Sequence, residues 1–153
     1  MSRDFEQNYP SLNLRAGALP FQKSGNAALE VLLVRRRGQH FWSLPKGRLM
    51  PPLQLHEVAS VEAFEEAGVE GQIRSQAVGS FLHSKQSNTR GSLREVVEVV
   101  VFPLAVETLH IEWPEMEMRE RRWFEHRRAV ELVGPGQLRA LLREFANEFE
   151  LEC

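Results

Sequence analysis

Apolar positions along the chain follow two rhythms. Leu14–Gln22 (LRAGALPFQ) and Ala28–Arg36 (ALEVLLVRR) are short apolar runs divided by Ser24, Gly25 and Asn26, so the pair predicts two strands and a turn. Gln72–Leu82 and Leu93–Leu104 are apolar and β-branched and bracket a polar tip, His83–Ser92 (HSKQSNTRGS). They predict antiparallel strands joined by a long exposed loop. Arg121–Glu125 (RRWFE) predicts one more short strand. The helical rhythm occurs twice. Leu55–Ala67 (LHEVASVEAFEEA) carries strong helix formers, no interior glycine or proline, and Gly68 where a C-terminal cap belongs. From Gln137 to Phe149, residues Leu138, Leu141, Leu142, Phe145 and Phe149 recur at offsets of 0, 3, 4, 7 and 11, a stripe that predicts a core-facing helix.

Gly38–Pro52 (GQHFWSLPKGRLMPP) is a loop, and its closing prolines exclude a helix before about Leu53. Residues 1–13 are polar, contain Pro10, and predict a flexible N-terminal arm. Residues 14–149 contain no repeat, low-complexity tract or linker and predict a single domain. Strands, helix, strands, helix is the order of an α+β fold with a mixed sheet between helices.

Composition narrows the function classes. A chain of 153 residues with 42% hydrophobic and 26% charged residues resembles an ordinary globular domain, not a disordered or fibrous one. Nineteen Lys+Arg against 21 Asp+Glu give a net charge of −2, without the basic excess of a general nucleic-acid binder. The one cysteine, Cys153, allows no disulfide framework and no cysteine zinc site, which fits a reducing compartment. Val99–Val106 is the longest apolar run, far short of the ~20 residues of a membrane span, and MSRDFEQNYPSLNL has no signal-type apolar core. The expectation is a soluble cytoplasmic protein without a membrane partner. The five histidines form no i,i+4 pair, which argues against a catalytic zinc site. No apolar stretch singles out a dimer face.

Candidate chemistry concentrates in Gly47–Val69 (GRLMPPLQLHEVASVEAFEEAGV). On a helix each residue advances about 100°, so Glu65 and Glu66 lie at about 300° and 40° from Glu62 and the three carboxylates crowd one face. Phe64 stands at about 200°, with Ser60, Ala63 and Ala67 on its broad side. The expectation is a small-residue face packed on the sheet and acids projecting outward. Like charges at these spacings repel by a few tenths of a kcal/mol per pair when exposed. A hard divalent cation removes that penalty, because Mg²⁺ prefers carboxylate and phosphate oxygens. A solvated acidic face accounts for the same residues without any ligand.

The spacing around the acids resembles the Nudix box, GX5EX7REUXEEXGU, in which U is a bulky aliphatic residue. Gly47 matches its opening glycine, and Glu62, Glu65, Glu66, Gly68 and Val69 match its second half in register. Trp42–Lys46 (WSLPK) is similar to the approach to the box in the diphosphoinositol-polyphosphate and dinucleoside-polyphosphate branch of the family. The resemblance implies a Nudix α/β/α sandwich and a metal-dependent hydrolase cleaving a diphosphate (P–O–P) bond in a nucleotide or inositol polyphosphate derivative. It implies Mg²⁺ or Mn²⁺ held by Glu62, Glu65, Glu66 and the Gly47 carbonyl, the three glutamates being the catalytic group. The partner implied is a small-molecule diphosphate substrate.

Two polar box positions depart from the pattern: its first glutamate is Leu53 and its arginine is Val61. Exchanging a buried polar pair for two packed aliphatics is commonly neutral or stabilising, whereas losing one partner alone costs about 3–5 kcal/mol. The expectation is that Leu53 and Val61 pack and preserve the scaffold. The same departures support an alternative, a Nudix-fold nucleotide- or polyphosphate-binding or regulatory module with little or no hydrolysis.

Further roles follow from position. Lys46 and Arg48 flank the box glycine, and His83, Lys85 and Arg90 lie in the polar tip; all five are candidate phosphate contacts, with a solvated surface as the plainer explanation. Arg35, Arg36 and Arg37 end a strand, and one or two of them are candidates to face the cleft, although alternation alone sends neighbours to opposite sides. Glu112, Glu115, Glu117 and Glu120 share a later loop and are equal candidates for a general base. Phe41 and Trp42 are candidates to stack on a base, core packing being the alternative.

Overall fold

A computed structural model describes residues 13–86, 94–134 and 136–152. In chain order the elements are β1 (Asn13–Lys23), β2 (Leu29–Arg36), β3 (Lys46–Arg48), α1 (Leu55–Ala67), β4 (Val69–Ile73), β5 (Gly79–Gln86), β6 (Arg94–Leu109), β7 (Arg119–Glu125), α2 (His126–Leu132) and α3 (Gly136–Glu152). The seven strands form one mixed sheet in the order β4-β6-β1-β2-β7, with β3 beside β1 and β5 beside β6. β1 and β6 are parallel, and the other pairs are antiparallel.

The central strands change partner along their length. One edge of β1 lies against β6, while the other pairs with β3 at Arg15–Gly17 and with β2 at Phe21–Lys23. The outer edge of β6 pairs with β5 as far as Val101 and with β4 from Leu104. Pro103 has no N–H to donate and sits in the gap between the two. The run expected as one strand over Gln72–Leu82 is therefore two. The chain leaves β6 after the Arg74 N–H donates to the Pro103 carbonyl (3.0 Å) and regains it at Val78, whose N–H donates to Val101 (2.8 Å).

Both sheet faces are covered because β2 is apolar on both, sending Leu29, Val31 and Leu33 to one side and Leu32 and Val34 to the other. On the first side α3 lays down its stripe: Leu138, Leu141, Leu142 and Phe145 pack against Val97, Val99 and Val101. Full burial of side chains of this size contributes about 1.5–3 kcal/mol each. Phe149 closes the edge partly buried, edge-on to Phe21 at 5.7 Å. On the second side α1 packs Val58, Ala59, Ala63 and Ala67 on Ala16, Ala18, Leu32, Phe102 and Leu104. Small residues on both partners bring this helix close to the sheet.

The bounds of α1 are set locally. The Glu57 carboxylate accepts the Gln54 N–H at 2.8 Å, and Gly68 ends the helix at φ 69°, a left-handed conformation suited to glycine. β3 and α2 were not expected. β3 exists through its pairing with β1, and α2 has only Ala129 and Val130 buried, too few to show a helical period. Asn13, expected in the arm, opens β1; residues 1–12 and residues 87–92 of the polar tip lie outside the described residues. Among the described residues no helix is long and apolar enough to cross a membrane.

Candidate active site

The buried arc of α1 contains two acids. Glu62 is 8% and Glu66 7% exposed, alongside Val58, Ala59, Ala63 and Ala67. This corrects the outward projection expected of the cluster: Glu62 and Glu66 point under the helix, and Glu65 is half-buried. Phe64 faces away, edge-on to His110 at 5.4 Å between ring centres. The reason lies in β3, which α1 crosses. A Cβ at position 47 would overlap Cδ and Oε2 of Glu62, so the bare backbone of Gly47 provides the seat for that carboxylate.

Burial has electrostatic consequences. The Glu62 carboxyl is pushed up to about 7, first by burial and then by the negative charges of Glu66, Glu65 and Glu115. The neighbouring charge of Glu66 thus favours the protonated form of Glu62. Burial also raises Glu66, opposed by the positive charges of Arg119 and Lys46. The Lys46 N–H donates to Glu66 Oε1 at 3.4 Å. Arg119 Nη2 donates to Glu66 Oε2 at 3.3 Å, and its Nε to Glu115 Oε1 at 3.0 Å.

The loop before β7 fastens the end of α1. Glu115 N–H donates to the Glu65 carbonyl (3.0 Å), Trp113 Nε1 to Glu66 (3.0 Å), Arg121 Nη1 to Ala67 (2.8 Å), and His110 N–H to Gly68 (2.8 Å). Carbonyls left over at the helix C-terminus thus find partners. Arg121 also stacks on Trp113 at 3.8 Å. This fastening separates the four loop acids. Glu112 and Glu117 are exposed. Glu120 pairs with Arg35 at 2.6 Å, and that hydrogen bond holds its carboxyl below the usual range. Glu115 alone of the four stands with the helix acids.

A cleft of about 920 Å³ opens where β1 exchanges β2 for β3, in the size range of small-molecule sites. Lys46, Gly47, Arg48, Glu66 and His83 line it, as their sequence positions suggested; Glu62 and Glu65 do not. Lys46 Nζ donates to Ser43 Oγ at 3.3 Å. The side chain of Lys85 and the whole of Arg90 lie outside the described residues. Trp42 lines one wall but belongs to the core, edge-on to Phe124 at 5.1 Å, with the Arg35 guanidinium 4.4 Å above its face. Phe41 is 73% exposed at the rim.

Sequence reasoning missed Arg15 and Arg119, which also line the cleft. Arg15 carried a signal, being the lone charge in the apolar run LRAGALPF. Arg119 carried none, because RERR alternates charges without distinction. The packing expected of Leu53 and Val61 is corrected as well. Leu53 is 41% exposed in the turn ahead of α1, Val61 is half-buried, and neither belongs to an apolar cluster.

The donor chemistry fits a hard divalent cation: buried carboxylates crowd together and repel, and a glycine seats one of them. Among the described residues, however, no three His, Cys, Asp or Glu side chains are gathered as a ready ligand set. Completing one requires Glu65 or Glu115 to turn toward the Glu62–Glu66 pair.

A mixed sheet between helices, with glycine-seated acids beneath a cationic cleft, defines a class that comparison with known proteins identifies. The chain belongs to the Nudix family: the family model described as NUDIX domain matches residues 12–151. It is similar to Nudix hydrolase 12, mitochondrial, of Arabidopsis thaliana, 35% identical over 125 residues that cover 81% of this chain and 62% of the relative. It is also similar to Nudix hydrolase 21, chloroplastic, of the same plant, 31% identical over 147 residues, 92% of this chain and 71% of the relative. The chain thus spans about three fifths of the length of the first relative. The fold matches a C. elegans Ap4A hydrolase in a binary complex, with TM-score 0.64 and 20% identity over 91% of this chain and 98% of that one. It also matches the Nudix domain of Shewanella oneidensis NrtR complexed with ADP ribose, with TM-score 0.59 and 16% identity over 97% and 99%.

Proposed function

We propose that the protein is a metal-dependent hydrolase that cleaves a diphosphate (P–O–P) bond in a nucleotide or inositol polyphosphate derivative. The observation that carries this reading is the seating of Glu62 on Gly47 beside Glu66, below a cleft whose other charged lining residues are cationic. Relatives named Nudix hydrolases support the same class. Mg²⁺ or Mn²⁺, when bound by Glu62, Glu65, Glu66 and the Gly47 carbonyl, supplies charge compensation at the phosphate oxygens and a more acidic water. Phosphoryl transfer asks little covalent chemistry of a protein, so the remaining work is positioning and electrostatics. Lys46, Arg48 and His83, joined by Arg15, receive the phosphates; Lys85 and Arg90 stay candidate phosphate contacts on their sequence positions alone. Of the four loop acids, Glu115 is assigned the uptake of the attacking water's proton, because it alone lies beside the helix acids. Phe41 offers an exposed ring to a nucleobase.

A panel of dinucleoside polyphosphates, nucleoside diphosphate sugars and inositol pyrophosphates, each with Mg²⁺ and with Mn²⁺, tests the reading when products are identified. Cleavage of a phosphoric anhydride is expected, and a folded protein that cleaves none contradicts it. The apolar residues at 53 and 61 favour a second reading, a binding or regulatory module. Calorimetric binding of one of these compounds without its cleavage supports that alternative.

A further inference from the structure

We propose that Arg119 is a positioning residue of this site, a guanidinium brought from the start of β7 to hold the carboxylates of Glu66 and Glu115 at a fixed separation. The inference rests on the metal-dependent reading above.

Glu62, Glu65 and Glu66 crowd the C-terminal half of α1, and its last turn contains no basic residue. Position 61, one turn before Glu65 and arginine in the box pattern, is Val61. Arg119 bonds one helix acid and one loop acid with two different nitrogens of one rigid plane, Nη2 to Glu66 and Nε to Glu115. A planar fork of this kind sets both distance and orientation, which a point charge does not. The side chain is 18% exposed, so its ion pairs are less screened than those of a surface arginine.

The next arginine on the same face of β7 makes the contrast. Arg121 gives its donors to the backbone carbonyls of Ala67 and His110, and among the described residues it makes no hydrogen bond to a carboxylate. Arg121 therefore holds the helix backbone, and Arg119 links one helix acid, Glu66, to one loop acid, Glu115. Arg119 also lines the cleft, so direct contact with substrate is the competing role.

The two roles predict different kinetics. Loss of a residue that orients metal-binding carboxylates typically lowers metal affinity or activity about 10–100-fold. Arg119→Ala is expected to lower kcat by about that factor while substrate KM changes by less than about 3-fold. Arg119→Lys should recover part of the loss, because an ammonium cannot bridge two carboxylates as a fork. Adding Val61→Arg to Arg119→Ala should also restore activity in part, by returning a guanidinium to the helix.

A substrate-free readout accompanies the kinetics: Mn²⁺ binding to the full chain, followed by electron paramagnetic resonance. Affinity should fall about 10–100-fold in Arg119→Ala. Circular dichroism monitors folding, and Arg119→Lys provides the comparison if the alanine variant does not fold; its Mn²⁺ affinity should then fall. Wild-type Mn²⁺ binding with unaltered affinity in the variant overturns this inference alone. So does a rise in KM with kcat unchanged, which assigns Arg119 to substrate contact. A wild-type chain that binds no Mn²⁺ overturns the metal-dependent reading and this inference with it.

Discussion

Helices α3 and α1 cover opposite faces of one sheet, but they bury different chemistry. The inward face of α3 is Leu138, Leu141, Leu142 and Phe145, packed into a continuous apolar core. The inward face of α1 is alanine, one valine, and two neighbouring glutamates. Apolar burial of the first kind stabilises the fold directly. Burial of the second kind destabilises it unless the charge is paired, protonated or shared with a cation. The contrast separates a face that secures the molecule from a face that gives it a task.

That comparison breaks if mutations on the two helices have similar consequences. Phe145→Ala, the largest effect expected, should cost about 3–5 kcal/mol of stability by leaving a cavity, a large part of the 5–15 kcal/mol of a typical domain. Urea unfolding measures it, and activity per folded molecule should be preserved. Glu66→Gln should do the reverse, reducing turnover at least ~100-fold with little change in the urea midpoint.

Gly47→Ala sharpens the boundary. The displaced group is the mobile end of Glu62, so the variant should fold normally yet lose about 10–100-fold in kcat as the carboxylate leaves its seat. Mg²⁺ titration of activity should show a raised half-saturation. A rise in Tm of the metal-free protein without loss of activity counts against the assignment.

The smallest effect is a pH dependence. Folding raises the Glu62 carboxyl from 4.5 to about 7, so the folded state retains a proton that the unfolded chain releases. The resulting stability is fully present below about 4.5 and is lost as pH rises through about 7. Without metal, Tm should decline across that window. Glu62→Gln should flatten the decline.

What was legible in the sequence was what local chemistry decides. α1 begins and ends at the residues expected, because Gly68 caps it and the prolines delay it. The α3 stripe was readable because its apolar residues keep one period. The register of Glu62, Glu65 and Glu66 was readable too, but not which way it faced. Helical angles relate residues to one another and do not say which arc meets the sheet, and alanines suit either side. The seat on Gly47 depends on β3, whose three residues form a strand only against β1. Arg119 reaches Glu66 across 53 positions of sequence, a distance over which no periodicity speaks. The break within Gln72–Leu82 was hidden for the same reason, since Pro103 on the partner strand decides it.

The central claim is that Glu62 and Glu66 are buried together in order to share a divalent cation. Anomalous diffraction from crystals grown with Mn²⁺ tests it most directly. The account predicts a manganese peak within bonding distance of both carboxylates and of a third from Glu65 or Glu115. An open cleft with no peak beside Glu62 and Glu66 contradicts it.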